Sequence, residues 1–128
     1  MANPAVSTPD APAAIGPYSQ GFVAGGLLFA SGQVHLNPAG EMVQGDVKVK
    51  AARCLDNLAA VAQAAGVSLA NAVKLTVFLA DMNDFAAVNE VYASRFQEPY
   101  PARSAVQVAG LPKGADIEIE AIFALPEK

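Results

Sequence analysis

The sequence is poor in charge. Lys, Arg, Asp and Glu make up 16% of its 128 residues, against about 25% in an average soluble domain. A chain of this size has much surface for its volume. So little charge predicts that part of that surface is covered by other copies of the chain, a homo-oligomer, with an Ala-rich monomer as the alternative. The eight basic residues are scattered and the net charge is −4, which argues against nucleic-acid binding by phosphate neutralisation. A single cysteine, Cys54, rules out an internal disulfide. It falls among Ala and Leu at helical spacing, which predicts inert packing in a chain suited to a reducing compartment. The single histidine, His35, completes neither a Ser-His-Asp nor a Cys-His set, and no cluster has metal-ligand spacing. No apolar run approaches the roughly 18 residues of a membrane span. The opening MANPAVSTPDAPAA lacks the basic start and apolar run of a signal peptide. These absences predict a cytoplasmic chain forming one domain over residues 1–128, with no membrane and no nucleic-acid partner.

What is present alternates between strand and helix signals. Residues 1–14 are rich in Pro and Ala and predict a loose arm. From Tyr18 to Val34, aromatic and aliphatic residues straddle Gly25-Gly26, a hairpin turn; no phosphate-loop spacing follows it. Asn37-Pro38, Gly40 and Gly45 punctuate a loop, with a short strand expected near Met42-Val43. Asp46 is an N-cap candidate for a helix whose apolar residues are Val47, Ala51, Cys54, Leu55, Leu58, Ala62 and Ala65, stopped by Gly66. AVKLTVFLA, from Ala72 to Ala80, reads as a strand buried on both faces. Asn83 or Asp84 is expected to cap a second helix from Phe85 to about Phe96, ended by Glu98-Pro99-Tyr100-Pro101. Strands at Arg103–Ala109 and Asp116–Leu125 complete an α+β layout with two helices on one side of a sheet.

The last two strands carry the chemistry. Arg103 stands at the start of one, and Glu118 and Glu120 lie on the other. Strand residues alternate faces, so Arg103, Ala105 and Gln107 share one face, and Glu118, Glu120 and Ile122 share another. Segregating apolar from polar sets predicts Arg103, Gln107, Glu118 and Glu120 together on the side away from the helices. With no helix left to cover that side, a seam with another subunit would hold the guanidinium beside a carboxylate. Arg suits a carboxylate ligand because its planar fork donates two parallel hydrogen bonds and stays charged. The alternative is an Arg103–Glu ion pair serving only an interface.

Four stretches in order, APAAIGPYSQG from Ala11, FASGQV from Phe29, DMNDFAAVNEVY from Asp81 and PARSAVQVAGLPKGADIEIEAIFA from Pro101, resemble the RidA family, also called YjgF. The likeness covers nearly all of Ala11 to Ala124. It implies a chorismate-mutase-like mixed sheet with two helices on one face and the last strand inside the sheet. It further implies a homotrimer whose sheets face one another as a barrel, with clefts between subunits. The implied activity is hydrolysis of 2-imino acids, tautomers of enamines such as 2-aminoacrylate, to 2-keto acids and ammonia without metal or organic cofactor. Carried over by position, Arg103 would grip the substrate carboxylate and Glu118 would position or activate water. Tyr18, Ser31 and Asn89 would surround the cleft, with Phe85 and the Gly32 backbone in its wall. Many members carry cysteine where this chain has Ala105, a position the resemblance counts among the substrate-binding residues, so thiol-dependent regulation is not expected here. A different class of function is a non-catalytic trimer binding small carboxylates or a partner protein through the same clefts; retention of Glu118 beside Arg103 favours the enzyme. RNA cleavage, also attached to this family, sits poorly with the acidic charge and the absence of a second histidine.

Overall fold

The computed structural model describes residues 3–126. Six strands form one mixed sheet in the order β1-β2-β3-β6-β4-β5: β1 Ala5–Val6, β2 Gly21–Ala24, β3 Leu27–Val34, β4 Ala72–Leu79, β5 Ala102–Gln107 and β6 Ile117–Ala124. Two helices, α1 Val47–Ala64 and α2 Phe85–Arg95, lie on one side. The fold is the α+β arrangement expected from the sequence, and β6 lies between β3 and β4 as the family resemblance implies. Only β4 and β5 run parallel, joined through α2; every other pairing is antiparallel.

Local chemistry sets each boundary. Gly25 and Gly26, at φ 59° and 77°, take the left-handed conformations of a two-residue hairpin between β2 and β3. Asp46 has extended backbone, and its Oδ1 accepts from the Val49 amide at 3.1 Å, capping α1. Gly66 at φ 85° closes the helix while Val67 N–H returns to the Ala62 carbonyl. The start of α2 differs from expectation. Asp84 makes no side-chain cap; Asp81 instead caps a preceding turn of 3-10 helix, Met82–Asp84, accepting from the Asn83 amide. The helix stops at Arg95, one residue short, because Phe96 turns to extended backbone.

The core lies between α1 and the sheet. Leu28, Leu55, Leu58, Val61, Leu75, Val77, Leu79, Ile117, Ile119 and Phe123 are essentially inaccessible to water. Each contributes about 1.5–3 kcal/mol by burial. Cys54 is buried there, its Sγ directed at the Ile117 carbonyl, and burial raises its thiol pKa well above the ordinary value.

Two expectations are corrected here. β4 is not buried on both faces: Leu75, Val77 and Leu79 are buried under the helices, but the alternate residues Lys74, Thr76 and Phe78 are only partly covered. Its apolar run serves an open face that carries Phe22, Phe29 and Val106 at 47, 42 and 42% exposure. Nor is the N-terminal arm loose from Asn3 onward. β1 pairs with β2, and the buried Gln20 amide accepts from the Thr8 amide and donates to the carbonyls of Thr8 and Pro12. Met1 and Ala2 lie outside the described residues.

Candidate functional site

The register of β5 decides where Arg103 points. In the parallel pairing, Arg103 stands opposite Leu75, Ala105 opposite Val77 and Gln107 opposite Leu79. Leu75, Val77 and Leu79 face the helices, and neighbours in register share a face. Arg103, Ala105 and Gln107 are therefore on the helix side. In β6, Glu118 stands opposite Phe78 and Glu120 opposite Thr76, on the open side. The expectation that Arg103 and Gln107 share a face with Glu118 and Glu120 is overturned. It assumed that the apolar members of each strand all turn inward. Val106 instead lies half-exposed on the open face, while Arg103 turns toward α2.

One half of the site surrounds Arg103. Its Nη1 donates to Asn89 Oδ1 at 2.7 Å. Its guanidinium carbon lies 5.2 Å from the Phe85 ring centroid and 4.7 Å from that of Tyr92. Phe85, Asn89 and Tyr92 are spaced four and three apart, one stripe of α2, so a single helical face holds the guanidinium by two cation–π contacts and a hydrogen bond. The other donors of Arg103 have no partner among the described residues. They border a cleft of about 400 Å³ lined by Asn89, Tyr92, Ala93, Tyr100 and Pro101. Ala105, two residues along, is packed against the core instead and does not line this cleft. Tyr92, which is not among the site residues expected from the sequence, is 5% exposed, and its buried Oη has no hydrogen-bond partner among the described residues. Burial raises its pKa, with Arg103 opposing.

The other half surrounds Glu118. A cavity of about 600 Å³ is lined by Tyr18, Ser31, Gly32, Gln33, Lys113, Glu118 and Glu120, with Pro12, Ala13, Ile15 and Leu36 among its apolar walls. The register between β3 and β6 slips between Ala30 and Gln33, which releases Ser31 and Gly32 from regular pairing. Gly32 is needed there. A Cβ on it would fall inside the van der Waals shell of the Glu118 carboxylate, so the missing side chain is the space the carboxylate occupies. Ser31 Oγ donates to the Ser19 carbonyl at 2.6 Å, leaving its lone pairs free to accept. Burial, and then repulsion from Glu120, raise the Glu118 pKa above the ordinary value. A half-buried carboxylate of raised basicity is a proton acceptor in search of a donor.

Behind this cavity lies a buried polar latch that sequence inspection missed. His35, 2% exposed, directs Nδ1 to the Val43 carbonyl at 3.0 Å and accepts the Asp116 amide on Nε2 at 3.1 Å. Those partners assign the neutral ring with its proton on Nδ1. Asn57 of α1, buried among Ala and Leu, donates to the Val34 and Leu36 carbonyls and accepts from Arg53. The exit of β3 and the entry of β6 are thus tied to each other and to α1. Among the described residues no group of three or more His, Cys, Asp or Glu side chains is placed to hold a metal.

A family model described as endoribonuclease L-PSP matches residues 8–125. The chain belongs to this family, the RidA/YjgF family. It is 51% identical over 121 residues to a RutC family protein of Sinorhizobium fredii, covering 94% of this chain and 96% of that one. It is 52% identical over 118 residues to a 2-iminobutanoate/2-iminopropanoate deaminase of Capra hircus, covering 91% and 86%. The crystal structure of RidA from an Antarctic Psychrobacter superposes with a TM-score of 0.89 at 45% identity, covering 94% and 98%. Against this RidA/YjgF background, the expected site residues are present in one chain as two groups: Arg103, Phe85 and Asn89 on one side of the sheet, and Tyr18, Ser31, Gly32 and Glu118 bordering a cavity on the other.

Proposed function

We propose that this chain hydrolyses 2-imino acids to 2-keto acids and ammonia, at sites assembled between copies of the chain in a homotrimer. The observation that carries the reading is the division of the site. A carboxylate-gripping cation with uncommitted donors and a basic carboxylate over a cavity face opposite sides of one sheet. They can serve one substrate only when Arg103 of one copy meets Glu118 of another. The half-exposed apolar face of the sheet is a surface such an assembly would cover.

In this scheme Arg103, held against the rings of Phe85 and Tyr92, fixes the substrate carboxylate and orients the C=N carbon. A water held by Glu118 adds to that carbon; Glu118 takes the proton and returns it to the departing nitrogen. Ser31 and Tyr18 supply polar contacts to the imine or the water. The imine is already electrophilic, so Ala105 costs the reaction nothing that a thiol would have supplied. A pure binder would require Arg103 but would have no use for a carboxylate of raised basicity.

The test is ammonia and keto-acid release from 2-iminobutyrate or 2-aminoacrylate generated in situ. Arg103→Ala and Glu118→Gln are each expected to lose most activity, about 10²-fold or more. Co-expression of the two variants is expected to restore about one quarter of native activity, because random assembly in a closed ring brings an intact Arg103 beside an intact Glu118 at about that frequency. No recovery would show that the two residues do not act across an interface. Native protein that binds keto acids without accelerating hydrolysis would favour the carboxylate-binding function.

A further inference from the structure

Among the described residues other than glycine, only Lys113 has a left-handed backbone, at φ 59° and ψ 20°, in the turn between β5 and β6. An L side chain is strained there and glycine is not. Pro112 precedes it and Gly114, also at positive φ, follows. A glycine at position 113 would satisfy the turn, so the side chain itself calls for a reason. Lys113 lines the cavity that holds Glu118, and it forms no ion pair among the described residues. The other charged side chains of that wall are Glu118 and Glu120. Within one chain, a substrate bearing a carboxylate therefore meets two negative charges and one positive charge on its way in, since Arg103 of the same chain lies behind the sheet and the Arg103 of the proposed site belongs to another copy.

We propose that Lys113 is a guiding and specificity residue: its ammonium draws anionic ligands into the cavity past the two glutamates and favours a free 2-imino or 2-keto carboxylate over a neutral analogue. Lys113 does not pair with Glu118, so it offsets the repulsion without occupying the base. It touches no reacting atom in this scheme. The turnover consequence rests on the deaminase proposal; the binding consequence does not.

The experiment compares full-length native protein with Lys113→Gly and Lys113→Arg. Association of 2-ketobutyrate and of its methyl ester is followed by stopped-flow tyrosine fluorescence, beside kcat/KM for 2-iminobutyrate generated in situ. Lys113→Gly fits the turn, so it is expected to fold and to melt no lower than native. At about 20 mM NaCl its association rate with 2-ketobutyrate is expected to fall about 5–10-fold, and at about 500 mM to come within about twofold of native, since salt screens the guiding charge. kcat/KM should follow the same pattern with kcat unchanged. Lys113→Arg should keep native rates, and the methyl ester should bind all three proteins alike. A glycine variant that matches native at low salt, or that loses equally at both salt concentrations, would overturn the proposal. So would an equal loss for the methyl ester. If the native chain fails to deaminate while 2-ketobutyrate association shows this salt pattern, the guiding role stands and the deaminase reading falls.

Discussion

Glu118 shows how one residue is tuned by where the chain puts it. Burial and the neighbouring Glu120 disfavour its charged form. A carboxyl whose pKa is raised by folding favours the native state at low pH, below its ordinary pKa of about 4.3, and that contribution is lost as pH rises through the higher folded value. At neutral pH, then, native Glu118 is a local liability, one that the proposed chemistry would use. Glu118→Gln is expected to unfold at a higher urea concentration than native protein at pH 7, with the gap closing toward pH 4. A variant less stable than native at pH 7 would mean that the ionised carboxylate is held by favourable contacts instead. Sequence spacing correctly placed Glu118 and Glu120 on one face. It placed Arg103 wrongly, because a strand reading Arg-Ser-Ala-Val-Gln has no strong apolar set to anchor its alternation. Register with β4, not composition, turned Arg103 toward α2.

At the scale of elements, the helices were legible and their polar ties were not. Asp46, the apolar spacing through Ala65 and Gly66 specify α1 locally, since cap, periodicity and stop all lie in adjacent residues. Asn57 and His35 carry no such local signal. Their roles depend on carbonyls and amides at the ends of strands far along the chain. His35→Ala leaves the Asp116 amide and the Val43 carbonyl without their side-chain partner in a part-buried setting. It is expected to cost about 2–4 kcal/mol, read from the urea midpoint at constant m-value. An unchanged midpoint would show that β3 and β6 are held together without the latch. Gln20 plays the corresponding part for the arm. One buried amide fixes the Thr8–Pro12 segment against the sheet and so builds part of the cavity wall, where composition alone suggested a loose tail.

For the whole molecule, the unresolved economy is the open face of the sheet. Phe22 pairs with Phe29 and Phe29 with Ile122, an apolar ladder crossing three strands without a helix over it, and Ile122 pairs in turn with Lys74 of β4. The low overall charge of the sequence likewise predicts a surface covered by other copies of the chain. If copies of the chain cover it, Phe29→Asp is expected to shift sedimentation velocity from an assembly to a monomer. It should abolish deamination in the same step, because the two halves of each site would be separated. An assembly unaffected by this charge would place the interface elsewhere. No helix among the described residues is long and apolar enough to cross a membrane.

By itself the sequence determined the kinds and order of the main elements, the capped helix, the Gly25-Gly26 hairpin and the family, and it nominated Arg103 and Glu118 for the chemistry proposed here. These rest on local propensity, spacing and motif, all of which are written along the chain. Only the tertiary structure decided that Arg103 and Glu118 of one chain face away from each other, that Gly32 makes room for a carboxylate and that Lys113 holds its charge on a strained turn. The first two depend on pairing between distant strands, where a shift of one residue reverses a face and no neighbouring residue records the choice, and the last on the cavity wall that the turn reaches.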